Sequence, residues 1–147
     1  MFSQDFREFL NALNAREVRY LVIGGYAVAF HGFPRYTKDI DLWIDPAKGN
    51  IHSLLQALDD FGFGSLGITA NDFSDPKVVI QLGHPPNRIG LLCNVGDLAF
   101  DQAYERSAKA TMDELTVPFI ELEDLITAKR AAGRLQDLAD IENLRSK

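Results

Sequence analysis

Apolar residues recur along this chain with two periods, and the switches between them outline a fold. Phe2, Phe6, Phe9, Leu10 and Leu13 fall at helical spacing, which predicts an amphipathic helix over 3–16. Residues 19–23 read as a buried strand that Gly24-Gly25 breaks, and 26–31 as a short helix stopped by Gly32 and Pro34. A second strand is expected over 38–44. Asp45-Pro46 then reads as a helix start, with Asp45 as N-cap and Pro46 at the first helical position. Ile51, Leu54, Leu55 and Leu58 supply that helix with an apolar stripe, and Gly62 closes it. Residues 63–76 carry no clear period. Strands are expected over 77–82 and 88–93 around the turn at 83–87, then a helix over 100–108 and a short strand over 116–120. A helix over 121–132 ends at Gly133, and Leu135, Leu138, Ile141 and Leu144 mark a last amphipathic helix. Strands and helices intersperse without strict alternation. The expected class is therefore α+β: a mixed β-sheet flanked by helices, with a helical C-terminal tail, in one domain over residues 1–147.

Within that pattern two features carry chemistry. Side chains alternate across a strand, so Asp39, Asp41 and Trp43 share one face while Ile40, Leu42 and Ile44 share the other. Residues two apart rise roughly 6.6 Å on the same side, which lets two carboxylates converge on a hard cation. Asp is a poor strand residue, so a pair in this position asks for a reason. Gly24-Gly25 lies between an apolar strand and a helix, where bare backbone and helix N–H groups can meet a phosphate. Arg35 and Thr37 lie between the two motifs and can contact phosphate oxygens, whereas alternation turns Lys38 away from Asp39.

Composition narrows the field. An apolar content of 46% supports a core, and no apolar run approaches the roughly 20 residues a membrane span needs. The N-terminal residues lack the basic start of a signal peptide, so a cytoplasmic location is expected. A lone cysteine, Cys93, sits in an apolar run and reads as an inert thiol. The net charge of −6 argues against a broad nucleic-acid surface. His31, His52 and His84 lack metal-ligand spacing, and no serine sits in a nucleophile-elbow context. Lys129, Arg130 and Arg134 interleave with Asp124, Asp137 and Asp140. Two arrangements are open to them: ion pairs that tie the last two helices together, or a cleft in which Lys129 or Arg134 meets nucleotide phosphates.

The run Gly24-Gly25-Tyr26-Ala27-Val28-Ala29-Phe30-His31-Gly32, followed by Arg35-Tyr36-Thr37-Lys38-Asp39-Ile40-Asp41-Leu42, resembles the signature of the polymerase-β-like nucleotidyltransferase superfamily. More narrowly it resembles the small bacterial group that includes AbiEii-like abortive-infection toxins, and the tail from Leu122 to Asp140 is similar to that group's C-terminal region. The resemblance implies that Gly24 and Gly25 hold a triphosphate, and that Asp39 and Asp41 are catalytic and bind Mg2+ (or Mn2+). It implies transfer of NMP from an NTP to a hydroxyl acceptor on a small molecule, an RNA end or a protein, with a toxin–antitoxin role in view. A chain of this length lacks an acceptor-binding domain, so a homodimer or a partner protein would complete the cleft.

One departure stands out. Active members of the superfamily usually carry a third acid on a later strand, and the matching position here is Gly90, with Arg88 and Leu92 as its face-mates. The alternative to an enzyme is thus a degenerate, non-catalytic module that binds nucleotide or a partner. Otherwise another acid fills the gap, with Asp72, Asp75, Asp97 and Asp101 available.

Overall fold

The computed structural model describes residues 2–34, 37–84, 87–112 and 114–146. Its centre is a six-stranded sheet of β1 (Tyr20–Ile23), β2 (Ile40–Ile44), β3 (Val79–Leu82), β4 (Ile89–Leu92), β5 (Ala108–Met112) and β6 (Leu115–Phe119), in the order β3-β4-β2-β1-β6-β5. Pairing is antiparallel for β1–β2, β3–β4 and β5–β6 and parallel for β1–β6 and β2–β4, so the sheet is mixed as expected.

Helix α1 (Gln4–Ala15) begins where Ser3 Oγ accepts the Phe6 N–H, and it buries Phe6, Phe9, Leu10 and Leu13. Asn14 near its end accepts the Tyr20 hydroxyl at 2.9 Å and donates to the Thr116 carbonyl at 2.9 Å. That side chain ties α1 to both β1 and β6. Tyr20 shares its face with Val22, and in register with Leu42 and Ile44, so α1 covers the aliphatic side of β2. Helix α3 (Lys48–Phe61) packs beside α1 and ends at Gly62, whose φ of +102° suits glycine.

Three expectations are corrected. Helix α3 starts at Lys48 with Ala47 as N-cap, not at Asp45-Pro46. The Asp45 carboxylate is already used: it accepts the Ala47 N–H at 3.0 Å and pairs with Arg19 at 2.8 Å. Helix α4 is Phe100–Glu105, shorter than expected, because the chain turns into β5 at Ala108. That strand is an edge, with Lys109 and Thr111 exposed and Ala108, Ala110 and Met112 half-buried on its other face, an alternation too short and too small-sided to stand out in the sequence. The third correction concerns the tail. Helix α6 (Leu135–Arg145) leaves Leu135 88% and Leu138 49% exposed and turns Asp137, Asp140 and Leu144 inward.

The reason lies on α5 (Leu122–Ala132), whose start is capped by the Glu121 carboxylate and whose end is Gly133 at φ +66°. Its Lys129 is 6% exposed, with Nζ 2.9 Å from Asp140 and 3.3 Å from Asp137. A buried ammonium is tolerated only when paired, so the carboxylates of α6 must face it and the leucines cannot. Arg106 holds the start of the same helix through a two-point pair with the buried Asp124, at 2.9 and 3.1 Å.

Removing Lys129 takes the buried ammonium from two buried acids and leaves Asp137 to Arg134 and Asp140 to Gln136. Lys129→Met is expected to destabilise the fold by about 3–5 kcal/mol, read from urea unfolding at neutral pH. Burial opposes charge on Asp137, but hydrogen bonds and the positive charges of Arg134 and Lys129 outweigh it and hold the carboxyl below its usual range. A depressed carboxyl contributes stability above its unfolded pKa of about 3.9, which is lost as pH falls through the lower folded value. Asp137→Asn should therefore lower Tm at pH 7, and its deficit should shrink in strong acid.

Candidate functional site

Strand β1 runs into α2 (Gly24–Phe30) with no intervening loop. Gly24 takes φ +70°, in the left-handed region that favours glycine. It is also needed for space. Ile23 pairs with Asp41, and a Cβ on Gly24 would lie 2.6 Å from Asp41 Oδ2. On the other side β4 runs parallel to β2 with Asp41 opposite Gly90, where a Cβ would lie 2.6 Å from Asp41 Oδ1. The Asp41 carboxylate is thus wedged between two glycines on the two neighbouring elements. The sequence marked Gly90 as the place of an expected acid; in the structure its missing side chain is the room Asp41 occupies.

Asp39 lies just before β2, which starts at Ile40 rather than 38. Its carboxylate is half-exposed and takes a 3.3 Å contact from Arg88 Nη2. Arg88 Nη1 reaches Gln81 Oε1 only at 3.5 Å, and its buried Nε has no hydrogen-bond partner. Arg88 pairing with Asp39 was not foreseen, although alternation had set Arg88 on the face of Gly90. Trp43, on the same face, belongs to the core: it is 1% exposed and meets Phe100 edge to face at 5.3 Å.

Asp41 opens into a cavity of about 450 Å³. Gly24 and Asp41 form one side, with Gln81 and Asn94 from the β3–β4 region. Leu125, Ala128 and Lys129 of α5 form the other, closed by Arg134 and Asp137. Burial pushes the Asp41 carboxyl above its ordinary range and the charge of Asp39 adds to this, while Arg134, Lys129 and Arg88 pull it partly back. Burial thus makes an ionised Asp41 costly, a cost that a bound cation would relieve.

The other expected residues fall in several places. Lys129 lines the cavity, but its ammonium is committed to Asp137 and Asp140. Gly25 is buried one residue behind the lining. Thr37 Oγ1 donates to the Asp39 carbonyl at 3.2 Å and so fixes the approach to β2. Arg35 lies outside the described residues. His31 Nε2 sits 2.7 Å from the Ile120 carbonyl, a structural contact. The Cys93 thiol is half-buried and pushed up to about 11 by burial and then by Asp45, consistent with an inert group. Asp137, Gln81 and Asn94 were missed as lining. For Gln81 the signal was its place opposite Gly90 in the β3–β4 hairpin.

None of the four candidate acids fills the gap. Asp72 accepts the Thr69 N–H, Asp75 the Lys77 N–H, and Asp101 pairs with Arg19. Asp97 is exposed on a turn outside the cavity lining. Among the described residues no three His, Cys, Asp or Glu side chains converge as a metal cluster. Asp39 lies outside the cavity lining but close enough to act on the Asp41 carboxyl, and two neighbouring carboxylates match the donor set of a magnesium ion that shares its shell with substrate phosphates. Among the described residues no helix is long and apolar enough to cross a membrane.

Comparison with solved structures recovers the same fold. The chain is similar to the lincosamide antibiotic adenylyltransferase LnuA with lincomycin bound, at TM-score 0.60 and 16% identity, covering 99% of this chain and 98% of that one. A putative nucleotidyltransferase from Thermotoga maritima matches at TM-score 0.60 and 14% identity, over 97% and 91% of the two chains. ANT(2″)-Ia in complex with adenylyl-2″-tobramycin matches at TM-score 0.51 and 15% identity, over 96% and 95%. Identities this low establish the shared fold. No curated protein matches the sequence. A family model covers residues 2–147, nearly the whole chain, and by it the chain belongs to the family described as nucleotidyl transferase of unknown function (DUF2204).

Proposed function

We propose that this chain transfers an NMP from an NTP to the hydroxyl of a small molecule, using a divalent ion held by Asp39 and Asp41. The observation that carries the reading is the Asp41 carboxylate, wedged beside Gly24 and facing a cavity bounded by α5. The net charge of −6 disfavours an RNA acceptor, and LnuA is an antibiotic adenylyltransferase of nearly the same length. The acceptor hydroxyl would attack the α-phosphorus and give up its proton to solvent, while the bond from that phosphorus to the oxygen bridging the β-phosphate breaks and pyrophosphate leaves. Magnesium or manganese, when bound, supplies positive charge to the α-phosphate and the leaving group. Gly24 lets backbone approach the phosphates, and Arg134 and Lys129 add positive potential at the cavity wall. Thr37 orients Asp39 through its carbonyl, and Arg35 follows the same motif. A toxin–antitoxin role rests on the motif resemblance alone.

The Arg88–Asp39 pair and the missing third carboxylate favour a second reading, a module that binds nucleotide without turnover. Pyrophosphate release separates the two. Purified protein with Mg2+ or Mn2+, each of the four NTPs and a panel of hydroxylated small molecules should release pyrophosphate. Asp39→Asn and Asp41→Asn should each lower kcat/KM by about a hundredfold or more. Nucleotide binding with no release from any acceptor supports the second reading. No binding of any NTP sinks both.

Stability gives an independent check on Asp41. Its carboxyl is raised, so the folded state binds protons more tightly than the unfolded chain. Ionised Asp41 thus weakens the fold above its folded pKa, and the penalty disappears below about pH 3.9, the unfolded value. Asp41→Asn should raise Tm at pH 7, on the order of 2–4 °C for each kcal/mol recovered, and the gain should vanish in acid. Mg2+ should raise the Tm of the wild type but not of this variant. A wild type that melts above Asp41→Asn at pH 7 without metal would overturn the desolvation account.

A further inference from the structure

Resting on the nucleotidyltransferase reading, we propose that this site takes one divalent ion, not two, and that the Arg88 guanidinium is the fixed cation that stands in for the second. Two ions held roughly 3.5–4 Å apart bring four positive charges and need a matching set of carboxylates. Here the face supplies Asp39 and Asp41 alone, and no third His, Cys, Asp or Glu joins them among the described residues. The row where a further acid would stand holds Gly90, and its space is filled by Asp41 itself. Two places along the same face comes Arg88, already 3.3 Å from Asp39.

Charge balance makes the exchange plausible in physical terms. Three carboxylates with two divalent ions leave one net positive charge. Two carboxylates with one guanidinium and one divalent ion leave the same. A triphosphate would therefore meet a similar field by either route. Arg88 also has donors to spare. Its Nε is buried without an acceptor, its Nη1 makes only a 3.5 Å contact, and its side chain remains 40% exposed. A guanidinium forks onto phosphate oxygens through two parallel N–H groups, so an incoming anion would meet the exposed end of the side chain and not the buried Nε. Arg88 is then a phosphate-contacting residue whose pair with Asp39 keeps it aimed.

The test counts ions. Titrate the wild type with Mn2+ in saturating α,β-methylene analogues of ATP, GTP, CTP and UTP, and read bound Mn2+ by electron paramagnetic resonance. One Mn2+ per chain is expected. Two per chain would overturn the proposal, and this readout needs no variant. Arg88→Gln should keep a single Mn2+ and weaken the analogue about tenfold, with Arg88→Lys recovering part of the loss. Unchanged analogue affinity in a folded Arg88→Gln would also overturn it. These failures differ from failure of the underlying reading, in which the wild type would bind none of the analogues with either metal.

Discussion

A carboxylate can stand near the middle of a sheet only where the neighbouring backbone makes room for it, and Asp41 depends on that condition twice. On one side Gly24 removes a Cβ that would strike Oδ2; on the other Gly90 removes one that would strike Oδ1. The rest of the site follows. The positive φ of Gly24 turns β1 directly into α2, which keeps bare backbone beside the acid. Parallel pairing of β2 with β4 brings Gly90 level with Asp41, and the antiparallel β3–β4 pairing brings Gln81 level with Gly90. The cost is desolvation of Asp41, the largest influence on its carboxyl.

The opposite wall of the cavity is built on the reverse principle. Lys129 is as buried as a core residue but has two carboxylates, and α5 is fixed at both ends by the Glu121 cap and the Gly133 stop. Arg106 adds a third anchor through Asp124. A wall of paired charges thus faces a desolvated acid. That contrast is what a binding site needs, because a ligand gains most where charge is unbalanced and pays least where the surround is already ordered.

Legibility in the sequence divided along the same physical lines. Features set by local chemistry were readable: the apolar period of α1, the break at Gly24, and the glycine stops at Gly62 and Gly133. Features set by partners far along the chain were not. Leu135 and Leu138 look like a buried stripe until the buried Lys129 demands Asp137 and Asp140 in their place. Asp45-Pro46 looks like a helix start until Arg19 claims the carboxylate. β5 has only a weak apolar signal, because Ala108 and Ala110 are small and the strand is an edge that pairs on one side alone. Arg88 was on the right face in the sequence, but its bond to Asp39 required the β2–β4 register.

The same register changes what the missing acid means. A site that had merely lost a carboxylate would leave a space and a charge deficit where that group had been. Here the space at Gly90 is occupied by the Asp41 carboxylate, and the neighbouring Asp39 already has a guanidinium beside it. Restoring an acid at position 90 would place its Cβ 2.6 Å from Asp41 Oδ1, so the two groups compete for one volume. Gly90 and the present position of Asp41 are therefore a matched pair. Gly90→Asp is better understood as displacing Asp41 than as completing a triad.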